Sequence, residues 1–208
     1  MQRLFGALLA LVFASPALPG RQSPAPAGNP QAESAAPYVL PRIQGKVTLD
    51  GLSSEPAWKG IRALPVLVHT PNTGAEPSEL TEILVAYDDE FLYVAGRLYD
   101  REPEKIQATS KKRDDMKLSN DWLGIVLDTF HDRENGLAFF TTPAGLRLDM
   151  TIFHDADGDF PVNQNWNTFW DVKTVRNQEG WFVEMRIPLS SLRFQEVEGR
   201  VVMGLTAW

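Results

Sequence analysis

The tightest constraint on this chain is the run Trp181–Ile187, WFVEMRI, in which side chains alternate strictly. Trp181, Val183, Met185 and Ile187 fall on one side, and Phe182, Glu184 and Arg186 on the other. A period of two cannot present one continuous face on a helix, so it requires a strand with one face in a core. Asn177–Gly180 carries turn chemistry, which predicts an antiparallel hairpin of Trp170–Arg176 with Trp181–Ile187. Pro188 lacks a backbone N–H and ends the ladder, and Ser190–Phe194 then turns so that Leu192 and Phe194 tuck under the sheet. Glu184 and Arg186, two apart on one strand face, read as a surface pair or a cross-strand charge network.

The chain around this hairpin repeats the same pattern. Ile43–Asp50 is strand-like, and Leu49-Asp50-Gly51 turns after it. Ser53-Ser54-Glu55-Pro56-Ala57-Trp58 predicts one helical turn with a serine cap, Pro56 at an early position and Trp58 as an apolar plug. His69–Ser78 is a loop. Thr81–Asp88 sets Ile83, Val85 and Tyr87 against Leu84 and Ala86, as in a strand buried on both faces. Phe91–Tyr99 sets Leu92, Val94 and Leu98 inward against Tyr93, Arg97 and Tyr99, and Asp88-Asp89-Glu90 joins the two strands. Asp100–Asn120 is a long polar loop with room for a helical turn, and loops of this length are often functional. Trp122–Asp128 places Leu123, Ile125 and Leu127 on one side. Leu137–Thr142 and Leu146–Phe153 pair around Pro143-Ala144-Gly145, and Arg200–Ala207 is the last strand. About nine short strands without a helical period predict an all-β fold, an antiparallel β-sandwich of jelly-roll or immunoglobulin-like type. The strand pattern is still running at Trp208, which suggests C-terminal truncation.

Composition narrows the function classes. A formal charge of -7 argues against a nucleic-acid partner, which needs a basic face. The absence of cysteine excludes disulfides, thiol catalysis and zinc–thiolate sites. Met1–Gly20 has Arg3, an apolar run Leu4–Ala14 and a small-residue exit at Ser15-Pro16-Ala17, the layout of a signal peptide. That run is shorter than the roughly 20 residues of a membrane span. Residues 21–37 are a Pro- and Ala-rich linker, so the folded domain occupies Tyr38–Trp208. An exported protein is expected, in the periplasm, at the outer membrane or outside the cell.

Several motifs in this order resemble family 9 carbohydrate-binding modules. They are Ile43-Gln44-Gly45, Leu49-Asp50-Gly51 and Glu55-Pro56-Ala57-Trp58, then Ala86-Tyr87-Asp88-Asp89 with Leu92-Tyr93-Val94, then Asn120-Asp121-Trp122 with Leu127-Asp128-Thr129-Phe130. The version most similar stands at the N-terminus of a bacterial outer-membrane protein family of unknown function. There Asp132-Arg133, Gly136, Phe139-Phe140, Trp170-Asp171, Trp181, Glu184, Ile187-Pro188 and Leu192-Arg193-Phe194 look like recurring landmarks. The resemblance covers about Pro41 to the end. It implies a sandwich fold, sugar binding, export, and a downstream outer-membrane β-barrel as partner.

Sugar binding needs an exposed aromatic ring for the pyranose face and carboxylates, amides or arginine for its hydroxyls. Phe160–Trp170 supplies such a mixture, with Trp166 as the expected platform and Asn165 and Trp170 beside it. Arg113, Asp114 and Asp121 from the long loop are the candidate polar partners. The plainer reading is that Trp166 and Trp170 cap the end of the core, since tryptophan is mostly buried. Asp155-Ala156-Asp157-Gly158-Asp159 has alternate carboxylates around a glycine, like the first half of a calcium loop. Position twelve of such a loop is Trp166, which excludes the EF-hand. A calcium site completed from another loop, with Asp155, Asp157 and Asp159 as ligands, stands beside a solvated acidic turn.

No catalytic residues emerge. Carboxylates are plentiful but no two belong visibly to one cleft, and His69, His131 and His154 lack ligand spacing. Met150, Met185 and Met203 read as core filler. The expectation is a non-catalytic carbohydrate-binding module of an exported protein, connected with carbohydrate catabolism. The alternatives are an interaction domain of a barrel protein without sugar binding, and a glycoside hydrolase component.

Overall fold

The alternating run forms a strand, Gly180–Pro188, paired antiparallel with Asp171–Asn177 so that Trp181 stands opposite Arg176 and Met185 opposite Val172. The turn between them depends on Gly180. Its φ is +141°, and an added Cβ would lie 2.1 Å from the Leu98 carbonyl oxygen on the neighbouring strand. The computed structural model describes residues 38–158 and 161–208. Among them the strands are β1 (Thr81–Tyr87), β2 (Phe91–Tyr99), β3 (Leu123–Asp128), β4 (Gly136–Thr141), β5 (Leu148–Ile152), β6 (Val162–Asn163), β7 (Asp171–Asn177), β8 (Gly180–Pro188), β9 (Glu196–Val197), β10 (Arg200–Val201) and β11 (Gly204–Ala207).

The strands make two antiparallel sheets, β1-β2-β8-β7 and β11-β3-β4-β5-β6, with β9 and β10 as a separate small hairpin. The inner faces meet in one core. Ile83, Val85, Leu92, Val94, Trp181, Val183, Met185 and Ile187 come from the first sheet, and Leu123, Ile125, Leu127, Phe139 and Ala207 from the second. The fold is an all-β sandwich, as the period-two pattern required. Each large apolar side chain taken fully from water contributes about 1.5–3 kcal/mol. In a chain without cysteine this layer is the main source of stability.

The first sheet is covered on its outer face as well. Ile43, Ala57 and Trp58 pack there on Leu84, Ala86, Tyr93 and Ala95, which is why β1 and β2 are apolar on both sides. The strap carrying these residues is anchored by Glu184. This carboxylate is fully buried and accepts hydrogen bonds from the backbone N–H groups of Asp50 (2.9 Å) and Gly51 (2.8 Å) and from Trp58 Nε1–H (3.0 Å). The expected surface role for Glu184 is therefore corrected: it faces away from the main core, but the strap closes over it. Arg186 does make the cross-strand pair, with Asp171.

Four further expectations change. Ile43–Asp50 is not a strand beyond a bridge from Arg42 to Tyr87, because Asp50 and Gly51 give their N–H groups to Glu184 rather than to a ladder. The helical turn Pro56–Trp58 lacks a side-chain cap, since Ser53 Oγ and its carbonyl are taken by Arg97. Leu192 is buried but Phe194 is exposed. Arg200–Ala207 divides between β10, paired with β9, and β11, which returns to β3.

Candidate functional site

Residues 163–170 leave β6 in one sheet and cross to β7 in the other, and most of the expected binding residues gather along this crossing. Trp166 is half-buried, its ring edge-on to Phe139 with centroids 6.1 Å apart. Trp170 is 2% exposed and also edge-on to Phe139, at 5.6 Å. Trp170 is thus a core residue with no face free for a ligand, and Trp166 offers only part of one. The aromatic ring that does stand out is Phe169, at 88% exposed. Sequence reasoning passed over it because two adjacent aromatic residues in a loop give no periodic signal for which one points inward.

The polar residues here are largely consumed by the fold. Arg113 donates from Nε to Asn167 Oδ1 (2.6 Å) and from Nη2 to the Thr168 carbonyl (3.4 Å) and to the carboxylate of Asp149. Asp149 is fully buried, and its other oxygen accepts the Thr168 N–H at 2.7 Å. Together these bonds fasten the long loop and the crossing to β5. Asp114 follows Arg113 with its backbone N–H on the Arg147 carbonyl (3.1 Å). Burial pushes the Asp114 carboxyl above its ordinary range, Arg113 opposes that shift, and the charge of Asp149 adds to it. Asn165 is exposed, and its carbonyl accepts from Asn167 Nδ2. Arg113, Asp114, Asn165, Trp166 and Trp170 are therefore brought to one side of the sandwich.

Asp121 belongs elsewhere. It lines a cavity of about 660 Å³ at the end of the sandwich where β2 ends and β3 and β8 begin, under the long polar loop. Three tryptophans contribute to its walls: Trp181 from the core, and Trp122 and Trp208, which both meet the Phe140 ring edge-on. Phe140 can lie across the sheet there because its register partner is Gly124, where an added Cβ would sit 2.1 Å from the ring. Asp100, Asn120 and Gln107 supply polar groups. One Asp121 oxygen accepts the Gln107 N–H at 2.7 Å. Burial raises the Asp121 carboxyl above its ordinary range, with the charge of Asp100 adding to the effect. Asn120 Oδ1 accepts from Thr109 N–H and Oγ1–H, while its Nδ2 is buried in the wall without a partner. The cavity sets these aromatic walls beside an equally polar lining that also includes Glu79, Glu102 and Lys105, and its volume is in the range of small-ligand sites.

Of the acidic turn, Asp155 and Asp157 fall among the described residues. Asp155 and Asp157 are exposed, Asp157 Oδ1 accepts the Gly158 N–H, and His154–Ala156 is a single left-handed turn. Asp159 lies outside the described residues. No group of three or more His, Asp or Glu residues able to hold a metal occurs among those described.

No family model and no curated protein matches the chain. Solved structures similar to it include a carbohydrate binding module family 9 (CBM9) from Caldicellulosiruptor kristjanssonii in complex with glucose, at 17% identity and a TM-score of 0.49, covering 81% of this chain and 84% of that one. The same organism's module in complex with cellotriose matches at 19% identity and a TM-score of 0.47, over 81% and 82% of the two chains. These likenesses stand beside the sandwich fold and assign no ligand to this chain.

Proposed function

We propose that the protein binds carbohydrate without cleaving it, and that the sugar sits in the end cavity rather than on the 163–170 crossing. The observation that carries this reading is the combination in one cavity of tryptophan walls with two carboxylates, Asp100 and Asp121, each of which has one oxygen without a hydrogen bond among the described residues. Pyranose C–H faces pack on indole rings, and hydroxyls donate to carboxylate oxygens not already occupied. Asp121 has such an oxygen, and Trp122 and Trp208 supply the rings. Export through Met1–Gly20 and a role in carbohydrate use belong to the same proposal and rest on the leader pattern and the motif resemblance.

A glycan array with the full chain tests it. Binding of at least one oligosaccharide is expected, weakened by Asp121→Asn and by Trp122→Phe and retained in Trp166→Ala. No binding to any glycan at millimolar concentration overturns the proposal. Loss of binding in Trp166→Ala with full binding in Asp121→Asn moves the site to the crossing.

A further inference from the structure

A second cavity, of about 520 Å³, shares no lining residue with the end cavity. It opens where the edge strand β7 meets Leu49 of the strap and Gly145 of the turn between β4 and β5. Arg147, Lys173 and Arg186 line it against a single carboxylate, Asp171. A chain of formal charge -7 thus gathers a surplus of cations in one hollow. Bonds and register fix where these groups stand. Arg186 lies opposite Asp171 in the ladder and donates to its Oδ2 from Nη2 (2.5 Å) and Nε (3.2 Å). Arg147 donates from Nη1 to the carbonyl of Trp170, the residue before Asp171, at 2.9 Å. Two guanidinium groups are therefore tied to consecutive residues where β7 begins. Lys173 follows on the strand face of Asp171, diagonal to Arg186, a relation that sets Cα atoms about 7–8 Å apart.

These cations have donors to spare. Neither Arg147 nor Lys173 forms an ion pair among the described residues. Arg147 Nε and Nη2, on one edge of the guanidinium, carry no hydrogen bond among those residues, and Lys173 Nζ carries none. The carboxylates within reach are already engaged. Asp171 is held by Arg186, and Glu184, opposite Lys173, spends both oxygens on Asp50, Gly51 and Trp58 beneath the strap.

We infer that this hollow is a second ligand site, one that takes an oxyanion, with Arg147 Nε and Nη2 gripping two of its oxygens and Lys173 Nζ meeting it from the strand. A guanidinium fork matches two oxygens of one carboxylate, sulfate or phosphate group, and an ammonium adds a compact charge beside it. Arg186 stays on Asp171 and contributes its field. Cations gathered around one carboxylate repel one another, and a bound anion removes that cost. A uronate or sulfate ester on a glycan and free phosphate all present the same group. The inference does not depend on sugar binding in the end cavity.

Calorimetry on the full chain at about pH 7, where lysine and arginine are charged, tests it with a galacturonic acid oligomer, a sulfated galactose oligomer, inorganic phosphate and a neutral galactose oligomer, each at matched ionic strength. At least one of the three anions is expected to bind, more weakly as salt is added. Arg147→Gln and Lys173→Gln should each weaken that binding about fivefold or more, and Arg147→Lys should not restore it, because an ammonium lacks the fork. Lys173 Nζ has no partner among the described residues, so Lys173→Gln should keep the parent's thermal midpoint and report on binding alone. Tighter binding of an acidic oligomer than of phosphate supports the site with a glycan as its source, and the reverse order supports it with a free anion. Asp121→Asn should leave anion binding unchanged. No binding by any of the three anions, or equal binding by the Arg147→Gln/Lys173→Gln double variant, overturns the inference and leaves the end-cavity reading untouched.

Discussion

The crossing at 163–170 and the cavity at the sandwich end contain the same kinds of residue, tryptophans beside carboxylates and amides, yet they differ in what those residues have left to give. On the crossing, Arg113 bonds Asn167, Thr168 and Asp149, and Asp149 is closed by the Thr168 N–H. The polar atoms left unpaired beside the crossing, Asp114 Oδ1 and Trp170 Nε1, are buried, as is Asn120 Nδ2 at the cavity; in the cavity Asp100 and Asp121 each also have one oxygen without a hydrogen bond among the described residues. A ligand site is defined by unspent hydrogen-bonding capacity next to accessible apolar surface. Residue type alone does not define one.

This contrast can be broken by mutation, and the largest effect should come from the crossing. Arg113→Ala leaves a fully buried carboxylate at Asp149 without its cation, and removing one partner of such a pair costs about 3 kcal/mol or more. Denaturant midpoints should record the loss, and the double variant with Asp149→Ala should be less damaged than the single. If Arg113→Ala is as stable as the parent but loses glycan binding, the crossing is a site after all. Trp166→Ala comes next. Its ring is half-buried against Phe139, so about 2 kcal/mol should be lost with glycan affinity unchanged.

Asp121→Asn should do the reverse. Stability should move by no more than about 1 kcal/mol, because the Gln107 N–H keeps an acceptor, while glycan affinity drops about tenfold. The pH dependence carries a definite sign. Burial raises the Asp121 carboxyl above its unfolded value, so its contribution to stability is fully present below the unfolded pKa and is lost as pH rises through the folded one. Glycan binding through the Asp121 carboxylate runs the other way, weakening as pH falls through the raised value and Asp121 takes up a proton. Asp121→Asn should flatten both slopes, measured by thermal midpoints and by calorimetry across the acid range. The smallest effect is predicted for Phe169→Ala. Being 88% exposed, it should change stability by about 0.5 kcal/mol or less and leave binding untouched. A clear loss of affinity would return the aromatic platform to the crossing.

The sequence by itself determined the strands and the faces they bury. Trp181, Val183, Met185 and Ile187 were assignable to the core because alternation is a local property, and β1, β2, β3 and β8 follow from it with near-correct bounds. Which sheet each strand joined, and what lay over its outer face, were not local. Glu184 looked solvent-facing because its strand position is outward, and only the strap from Asp50 to Trp58, more than 120 residues away, makes that position buried. Arg113 looked like a free cation until β5 placed Asp149 beside it. Asp121 looked like a neighbour of Arg113 in a single loop, yet it lines the far cavity while Arg113 is fastened to the crossing. Periodicity records how a segment meets one surface. The partners of a charged side chain are set by chain segments that approach from elsewhere, and those contacts were decided only when the two sheets, the strap and the long loop closed on one another.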